Sequence, residues 1–115
     1  MSKIFNITLP LCPTDNHLYL MRGHMKFMIK EGKDWKLNAQ EQSKKIWKGK
    51  PMTCPIWFDV KVFLKRERDL AGGLKVVADS FQGIVYEDDK QITEMTLHKE
   101  FDKENPRLEI KVESL

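Results

Sequence analysis

The sequence predicts an α+β fold in which a sheet of about four strands is packed by two helices. Residues 56–64 alternate between apolar and other side chains without a break, which is typical of a strand with one buried face. Residues 32–48 and 70–82 instead carry apolar side chains at helical spacing. A chain of 115 residues has the size of one domain, so we take residues 1–115 as a single domain.

The first elements along the chain are predicted to be a strand and a hairpin. Residues 5–9 alternate between apolar and polar side chains, and Pro10 and Pro13 end this strand. A loop follows as far as His17. Residues 18–29 hold two short apolar stretches around Arg22-Gly23, a pattern that favours a hairpin.

Two helices flank the central strand in the sequence. The segment 32–48 places its apolar residues at helical spacing, ends at Gly49, and leaves its basic side chains on the outer face. In the segment 70–82 the apolar residues form one stripe, and Gly83 ends the helix. Gly72-Gly73 lies in the first turn of this helix, where glycine is unfavourable, which indicates that the backbone there has to lack side chains.

Two further strands complete the predicted order of strand, hairpin, helix, strand, helix, strand, strand. Residues 95–101 and 108–112 each alternate in the manner of a strand, and Asn105-Pro106 forms the turn between them.

The composition excludes several classes of protein. The chain is 41% hydrophobic and 32% charged, as in ordinary globular proteins, and it lacks an apolar run of the roughly 18 residues that a membrane span needs. The amino terminus has no apolar secretory segment. We therefore expect a cytoplasmic protein that does not bind a membrane, with Cys12 and Cys54 reduced and buried as small apolar side chains.

Charge is distributed unevenly along the chain, although the net charge is only +3. Residues 79–115 carry ten acids and five bases. Residues 22–50 carry three acids and nine bases, which are Arg22, Lys26, Lys30, Lys33, Lys36, Lys44, Lys45, Lys48 and Lys50. This basic segment fits either a solvated helix face or a surface that meets phosphates, and charge alone does not decide between them.

Two acidic loops stand out because each follows or precedes a predicted strand. Asp69 lies between the strand 56–64 and the next helix, and Asp88 and Asp89 lie in the loop after that helix. A helix of about twelve residues separates its ends by ~18 Å. The two loops therefore meet only if Asp89 precedes a strand that returns beside the strand ending at Leu64.

Carboxylates gathered at one sheet edge are suitable ligands for Mg²⁺, which also accepts waters and a substrate phosphate. Such an ion activates water for phosphodiester hydrolysis, and Lys75 would neutralise charge on the phosphate. The alternative is structural, because Asp69 would serve as a helix N-cap and Asp88-Asp89-Lys90 is common in turns.

Other catalytic chemistries have little support. The three histidines and two cysteines lack the spacing of a zinc site, Gly72-Gly73 is not followed by the Lys-Ser/Thr of a phosphate-binding loop, and no serine lies in a nucleophile motif.

The chain resembles the RusA family of Holliday-junction resolvases, which are small endonucleases common in phages and prophages. The segment from Arg68-Asp69-Leu70 to Lys75, then Asp79, Gly83-Ile84-Val85 and Asp88-Asp89-Lys90-Gln91-Ile92, carries the likeness. Ile7-Thr8-Leu9-Pro10 and Pro13-Thr14-Asp15-Asn16 are similar to the opening strand and proline-rich loop of that family.

The resemblance implies an α+β fold with a mixed sheet and a homodimeric, Mg²⁺-dependent enzyme, with Mn²⁺ as a possible substitute and no small-molecule cofactor. Such an enzyme binds four-way DNA junctions by shape and resolves them with paired symmetric nicks, in the cytosol of a bacterium or of a phage-infected host. By position, Asp69 and Asp89 match metal-binding aspartates and Lys75 matches the catalytic lysine. The metal set extends to Asp88, and the DNA contacts would be Asn16, Lys65, Arg66 and Arg68.

One departure from the family pattern concerns the metal site. The second aspartate of the D-x-D motif is Ala71 here, followed by Gly72-Gly73. Either the site is weakened, or Asp88 or Glu67 supplies the missing oxygen. The alternatives to an active resolvase are thus a junction-binding protein with weakened or lost catalysis, and an interaction domain in which each acid is a cap or a turn residue.

Overall fold

Four segments with alternating apolar residues form the strands of the central sheet. One helix precedes the longest of the first strands, Ile56–Leu64, and the other follows it. The computed structural model describes residues 3–13, 19–22, 25–67 and 73–115, with only the backbone described for 19–22 and 25–27. The elements are β1 (Ile4–Leu9), β2 (Tyr19–Arg22), β3 (Met25–Met28), α1 (Lys30–Ile46), β4 (Ile56–Leu64), α2 (Leu74–Ser80), β5 (Ile92–Phe101) and β6 (Arg107–Ser114).

The sheet is mixed and has the strand order β1-β6-β4-β5. Strand β6 pairs antiparallel with both β1 and β4, whereas β5 runs parallel to β4. The connection from β4 to β5 is therefore a crossover, and α2 lies within it. The short strands β2 and β3 form a separate antiparallel hairpin. The predicted α+β class, the hairpin and the four-stranded sheet are confirmed.

One face of the sheet carries the hydrophobic core. Every second residue of β1, β4 and β6 is buried, because successive side chains of a strand point to opposite faces. Both helices contribute to this core, through Trp35 and Ala39 of α1 and through Val76, Val77 and Ala78 of α2. The Trp35 indole also donates a 2.8 Å hydrogen bond to the Pro10 carbonyl, which fixes α1 against the end of β1.

The two helices differ from their predicted bounds in different ways. Helix α1 begins and ends two residues before the predicted range 32–48. The described helix α2 begins at Leu74, because Gly73 before it has φ +79°, and the predicted start at residue 70 lies outside the described residues. Neither helix of the described chain is long and apolar enough to cross a membrane.

Gly73 has a conformation and surroundings that only glycine accommodates. A Cβ atom there would lie 2.7 Å from Cys12 Sγ and 2.9 Å from the Pro13 carbonyl oxygen. Gly83 has a similar φ of +83° but open space around it. The close approach of Cys12 and Pro13 explains why the residue before α2 has to be a glycine, as the sequence indicated.

We expect Gly73→Ala to lower the free energy of unfolding by about 2–4 kcal/mol, since left-handed backbone strain and overpacking add. Gly83→Ala is the matched control and should cost only the strain, about 1 kcal/mol. Urea denaturation of both variants measures the difference. Equal losses in the two variants would show that the contact with Cys12 and Pro13 does not matter.

Candidate active site

A cavity of about 460 Å³ brings Lys75 and Asp89 together. Lys75 lies in the first turn of α2, and Asp89 lies in a short 3₁₀ turn, Asp89–Gln91, directly before β5. The remaining lining residues are apolar or small, namely Leu74, Ala78, Ile92 and Met95. Two of the three predicted catalytic residues therefore line one cavity.

The crossover explains why residues so far apart in the chain meet here. Strand β5 runs parallel to β4, with Ile92 next to Ile56 and Phe101 next to Leu64. Asp89 therefore lies near the start of β4, whereas the segment that leads to Asp69 leaves the opposite end of β4 after Leu64. The parallel pairing alone does not bring the two acidic loops together. Helix α2 has seven residues and spans only about 10 Å, against the ~18 Å expected for twelve residues. The loop that follows α2 can therefore reach back to the first turn of the helix.

Lys75 is exposed and has an acidic neighbour on its own helix. Its Nζ lies 3.7 Å from Asp79 Oδ2, and 78% of its side chain is accessible. An exposed pair of this kind contributes little to stability. Asp79 thus restrains Lys75 at the cavity while leaving the ammonium group accessible to a ligand.

Tyr86 is a fully buried residue whose titration depends on the charges of Asp79 and Asp89. Its buried hydroxyl donates a hydrogen bond to the Ala78 carbonyl. Burial, and then the negative charges of Asp89 and Asp79, raise the pKa of Tyr86 far above its ordinary range. Nothing in the sequence singled out Tyr86, and Asp79 entered only as part of the family pattern, although its position four residues after Lys75 was a usable signal.

Asp88 is adjacent to Asp89 in the chain but has a structural task. Its carboxylate accepts the Lys90 backbone N–H at 2.9 Å, and the Gln91 side chain accepts the Asp88 N–H at 2.9 Å, which together form a capping box. Gln91 also donates to the carbonyls of Met52 and Cys54. The turn interpretation thus accounts for Asp88, and its role as a metal ligand stays a prediction.

The Lys90 amide holds the pKa of the Asp88 carboxyl below its ordinary value of 3.8. A lowered pKa in the folded state means that the charge stabilises the fold above this value and ceases to do so as the pH falls through the folded-state pKa. We expect Asp88→Asn to be less stable than the wild type at pH 7 and the gap to shrink below pH 3.8. Urea midpoints at pH 7 and pH 3 measure it, and a gap that is independent of pH would contradict this account.

Several predicted site residues lie outside the described part of the chain. These are Asn16, Arg68, Asp69, Ala71 and Gly72. Within the described residues, no group of three or more His, Cys, Asp or Glu side chains is arranged to hold a metal ion. The geometry of the first acidic loop therefore stays a prediction.

The residues just before this undescribed stretch are exposed. Lys65 and Arg66 follow the end of β4 and, with Glu67, line a small cavity of about 180 Å³. Glu67 forms an ion pair with Lys99 of β5. Neither Glu67 nor Asp88 lines the cavity that Lys75 and Asp89 share.

The basic segment presents its charges to solvent. Its described lysines from position 30 onward are exposed, except for the half-buried Lys36. The two tryptophans of the segment pack inward instead, since Trp35 is buried and Trp47 makes an edge-to-face contact with Phe5 in the core. Both tryptophans therefore contribute to core packing.

Comparison with known proteins adds one match. The model of the family described as Endodeoxyribonuclease RusA matches residues 9–113, nearly the whole chain. No curated protein matched the sequence significantly.

Proposed function

The chain belongs to the RusA endodeoxyribonuclease family, and we propose that it is a Mg²⁺-dependent endonuclease that resolves four-way DNA junctions by paired, symmetric nicks. The observation that carries the proposal is the cavity shared by Lys75 and Asp89. A cation and a carboxylate from two distant segments meet there, as the hydrolysis of a phosphodiester would require.

The donor chemistry of the cavity suits Mg²⁺. Asp89 supplies hard carboxylate oxygens to the cavity, and Mg²⁺ needs only one or two carboxylates with waters and a substrate phosphate. We propose that Asp89 holds the ion together with Asp69 of the preceding loop, and Asp88 stays a candidate for an outer ligand. When bound, the ion supplies an activated water and charge stabilisation at the leaving oxygen.

The protein side chains have separate tasks in the proposed reaction. Water attacks phosphorus and the P–O bond to the leaving strand breaks, so negative charge grows on the phosphate oxygens in the transition state. The Lys75 ammonium donates hydrogen bonds to these oxygens, and Asp79 restrains Lys75 at the cavity. The apolar side chains of Leu74, Ile92 and Met95 limit the access of bulk water to the scissile bond.

Recognition of the junction is proposed to rest on phosphate contacts. The exposed lysines of α1, together with Lys65 and Arg66, present positive charge in the described chain, and Asn16 and Arg68 would add contacts. Because such contacts release counterions, binding should weaken steeply with salt. Two symmetric cuts need two sites at fixed separation, which a two-fold homodimer provides.

Junction cleavage measured with and without Mg²⁺ tests the function. A labelled four-way junction should be nicked in two opposed strands, whereas a linear duplex of the same sequence should stay intact. Mn²⁺ should support the same nicks, and EDTA should abolish them. Equal cutting of junction and duplex, or nicking that persists in EDTA, would contradict the proposal.

A second candidate function is a junction-binding protein whose catalysis is weakened by Ala71. It is favoured by the finding that neither Glu67 nor Asp88 lines the cavity. The substitution Ala71→Asp separates the two candidates. If Ala71 limits catalysis, Ala71→Asp should raise nicking at least ~10-fold with little change in junction affinity, because it adds a carboxylate beside the ion. An unchanged rate would mean that the present site is already sufficient.

A further inference from the structure

We infer that Gln91 is a positioning residue of the candidate active site, because its side chain clamps the turn that carries Asp89 to the segment before β4. The inference rests on the proposed function, since it takes Asp89 as a ligand of the Mg²⁺ ion. Gln91 does not line the cavity that Asp89 and Lys75 share, so it acts through the backbone of the turn and not by contact with the ion or the DNA.

The amide of Gln91 uses its full hydrogen-bonding capacity. A glutamine side chain has two N–H donors and one oxygen that accepts two bonds. Here Nε2 donates to the carbonyl oxygens of Met52 and Cys54, each at 2.8 Å. Oε1 accepts the backbone N–H groups of Glu87 at 3.0 Å and of Asp88 at 2.9 Å. With two acceptors around its nitrogen and two donors around its oxygen, the amide is held in a single orientation.

No other side chain makes the same four bonds from this position. Glutamate has the length and the acceptor oxygens but no N–H donor, and lysine and arginine have donors but no acceptor. Asparagine has the same amide on a stem that is one methylene shorter. The bonds therefore identify glutamine as a specific requirement at position 91, unlike the many residues that a surface turn accepts.

The clamp joins two segments that lie far apart in the chain. Residues 52–54 lead into β4, whereas the other partners of Gln91 belong to the loop before β5. Backbone bonds already tie this loop to Met52, since the Met52 N–H donates to the Val85 carbonyl at 2.7 Å and the Glu87 N–H donates to the Met52 carbonyl at 3.3 Å. Gln91 extends the contact into the turn itself and so fixes the turn against the beginning of the sheet.

Asp89 lies within the clamped turn. The Asp88 carboxylate and the Gln91 side chain form the capping box around it. Its own N–H donates to the Gln82 side-chain oxygen at 3.4 Å. All four partners of Gln91 are backbone groups. The clamp therefore determines where the Asp89 side chain begins without using either of its carboxylate oxygens.

A second tie holds the same loop to the helix that carries Lys75. The buried Tyr86 hydroxyl donates to the Ala78 carbonyl of α2, and Lys75 lies in the first turn of that helix. The loop is thus attached to α2 by Tyr86 and to the beginning of β4 by Gln91. A misplacement of about 1 Å can cost a catalytic site ~100-fold in rate, so the loss of one attachment should matter more for catalysis than for the fold.

The substitution Gln91→Glu tests the inference, because it keeps the length and the acceptor oxygen but removes both N–H donors. We expect the dissociation constant for Mn²⁺, measured by titration calorimetry without DNA, to rise about 10- to 100-fold, the usual effect of removing a group that orients a metal ligand. The kcat for junction nicking should fall by a similar factor at a fixed, limiting Mn²⁺ concentration, and KM for the junction should change less than about threefold. A loss of folded protein alone would lower the apparent number of binding sites and leave the dissociation constant unchanged.

Lys90→Gln is the matched control for the change of charge. Lys90 is the exposed residue between Asp89 and Gln91, and its replacement lowers the net charge by one, as Gln91→Glu does, while every hydrogen bond of the clamp stays in place. An added negative charge by itself favours a cation. Lys90→Gln should therefore bind Mn²⁺ at least as tightly as the wild type, whereas Gln91→Glu should bind it more weakly. Equal weakening in both variants would overturn the inference.

A double substitution shows whether Gln91 acts through Asp89. Once Asp89→Asn has removed the carboxylate, Gln91→Glu should weaken Mn²⁺ binding no further, whereas the effects of two independent residues would multiply. If Gln91→Glu fails to fold, Gln91→Asn replaces it, because this variant keeps an uncharged amide that is too short for all four bonds. It should weaken Mn²⁺ binding in the same direction.

The outcomes separate this inference from the proposed function. A wild type that binds Mn²⁺ and nicks junctions, with Gln91→Glu unchanged in both respects or multiplicative with Asp89→Asn, would overturn the role of Gln91 alone. Weaker Mn²⁺ binding by Gln91→Glu, in a protein that leaves junctions intact in both Mg²⁺ and Mn²⁺, would overturn the nuclease proposal and support the clamp. A wild type that binds no Mn²⁺ would overturn both.

Discussion

Replacement of Lys75 by alanine should slow junction nicking about 100- to 1,000-fold, the usual cost of removing one charged group that stabilises a transition state. The side chain is 78% accessible and contributes little to packing, so the fold should be unaffected. Junction affinity should change less than about threefold, since many other phosphate contacts remain. Single-turnover cleavage and a gel-shift titration on the same preparation measure the two effects.

A matched control separates a specific role of Lys75 from a loss of positive charge. Lys103→Ala removes one charge from an exposed turn outside the candidate site and should nick at the wild-type rate. If Lys75→Ala nicks as fast as Lys103→Ala, or if it loses binding and cleavage in the same proportion, Lys75 is only one phosphate contact among several.

The substitution Asp89→Asn should remove nicking to below about one-thousandth of the wild-type rate, because it takes away the charge of the carboxylate that we propose as a ligand of the ion. It should also weaken the binding of Mn²⁺, which titration calorimetry measures without any substrate. The amide is close in size to the carboxylate, so the turn before β5 should keep its structure.

Glu87→Gln is the control for Asp89→Asn, since Glu87 is an exposed carboxylate two residues earlier in the same loop. This variant should bind Mn²⁺ and nick junctions as the wild type does. Equal loss in both variants would indicate a general effect of negative charge near the cavity, and wild-type Mn²⁺ binding by Asp89→Asn would remove this carboxylate from the metal site.

The strands were predictable from sequence because their signal is local. The alternation over residues 56–64 indicates which apolar side chains of β4 face the core, and the observed strand has these bounds, although Asp59 on the other face is buried as well. The start of α2 was not predictable by the same route. The stripe of apolar residues continues through position 73 as in a helix, but Gly73 has a left-handed backbone and α2 begins at Leu74. The contacts of Cys12 and Pro13 with this glycine come from a distant part of the chain, so the sequence pattern does not report them.

The candidate site was predictable in part. The chemistry of Lys75 and Asp89 pointed to a phosphate and a cation, and their meeting depends on the parallel register of β5 beside β4. That register is a property of two strands 28 residues apart in the sequence, so no local pattern reports it. The separate tasks of Asp88 and Asp89 depend on the hydrogen bonds of one turn, which the dipeptide alone does not reveal.

A crystal soaked in Mn²⁺ tests the central claim most directly, because the anomalous signal locates the ion and its ligands in one measurement. The account predicts one strong peak in the cavity beside Lys75, with carboxylate oxygens of both Asp89 and Asp69 within coordinating distance. A peak bound elsewhere, or a structure in which Asp69 and Asp89 are too far apart to share a cation, would contradict it.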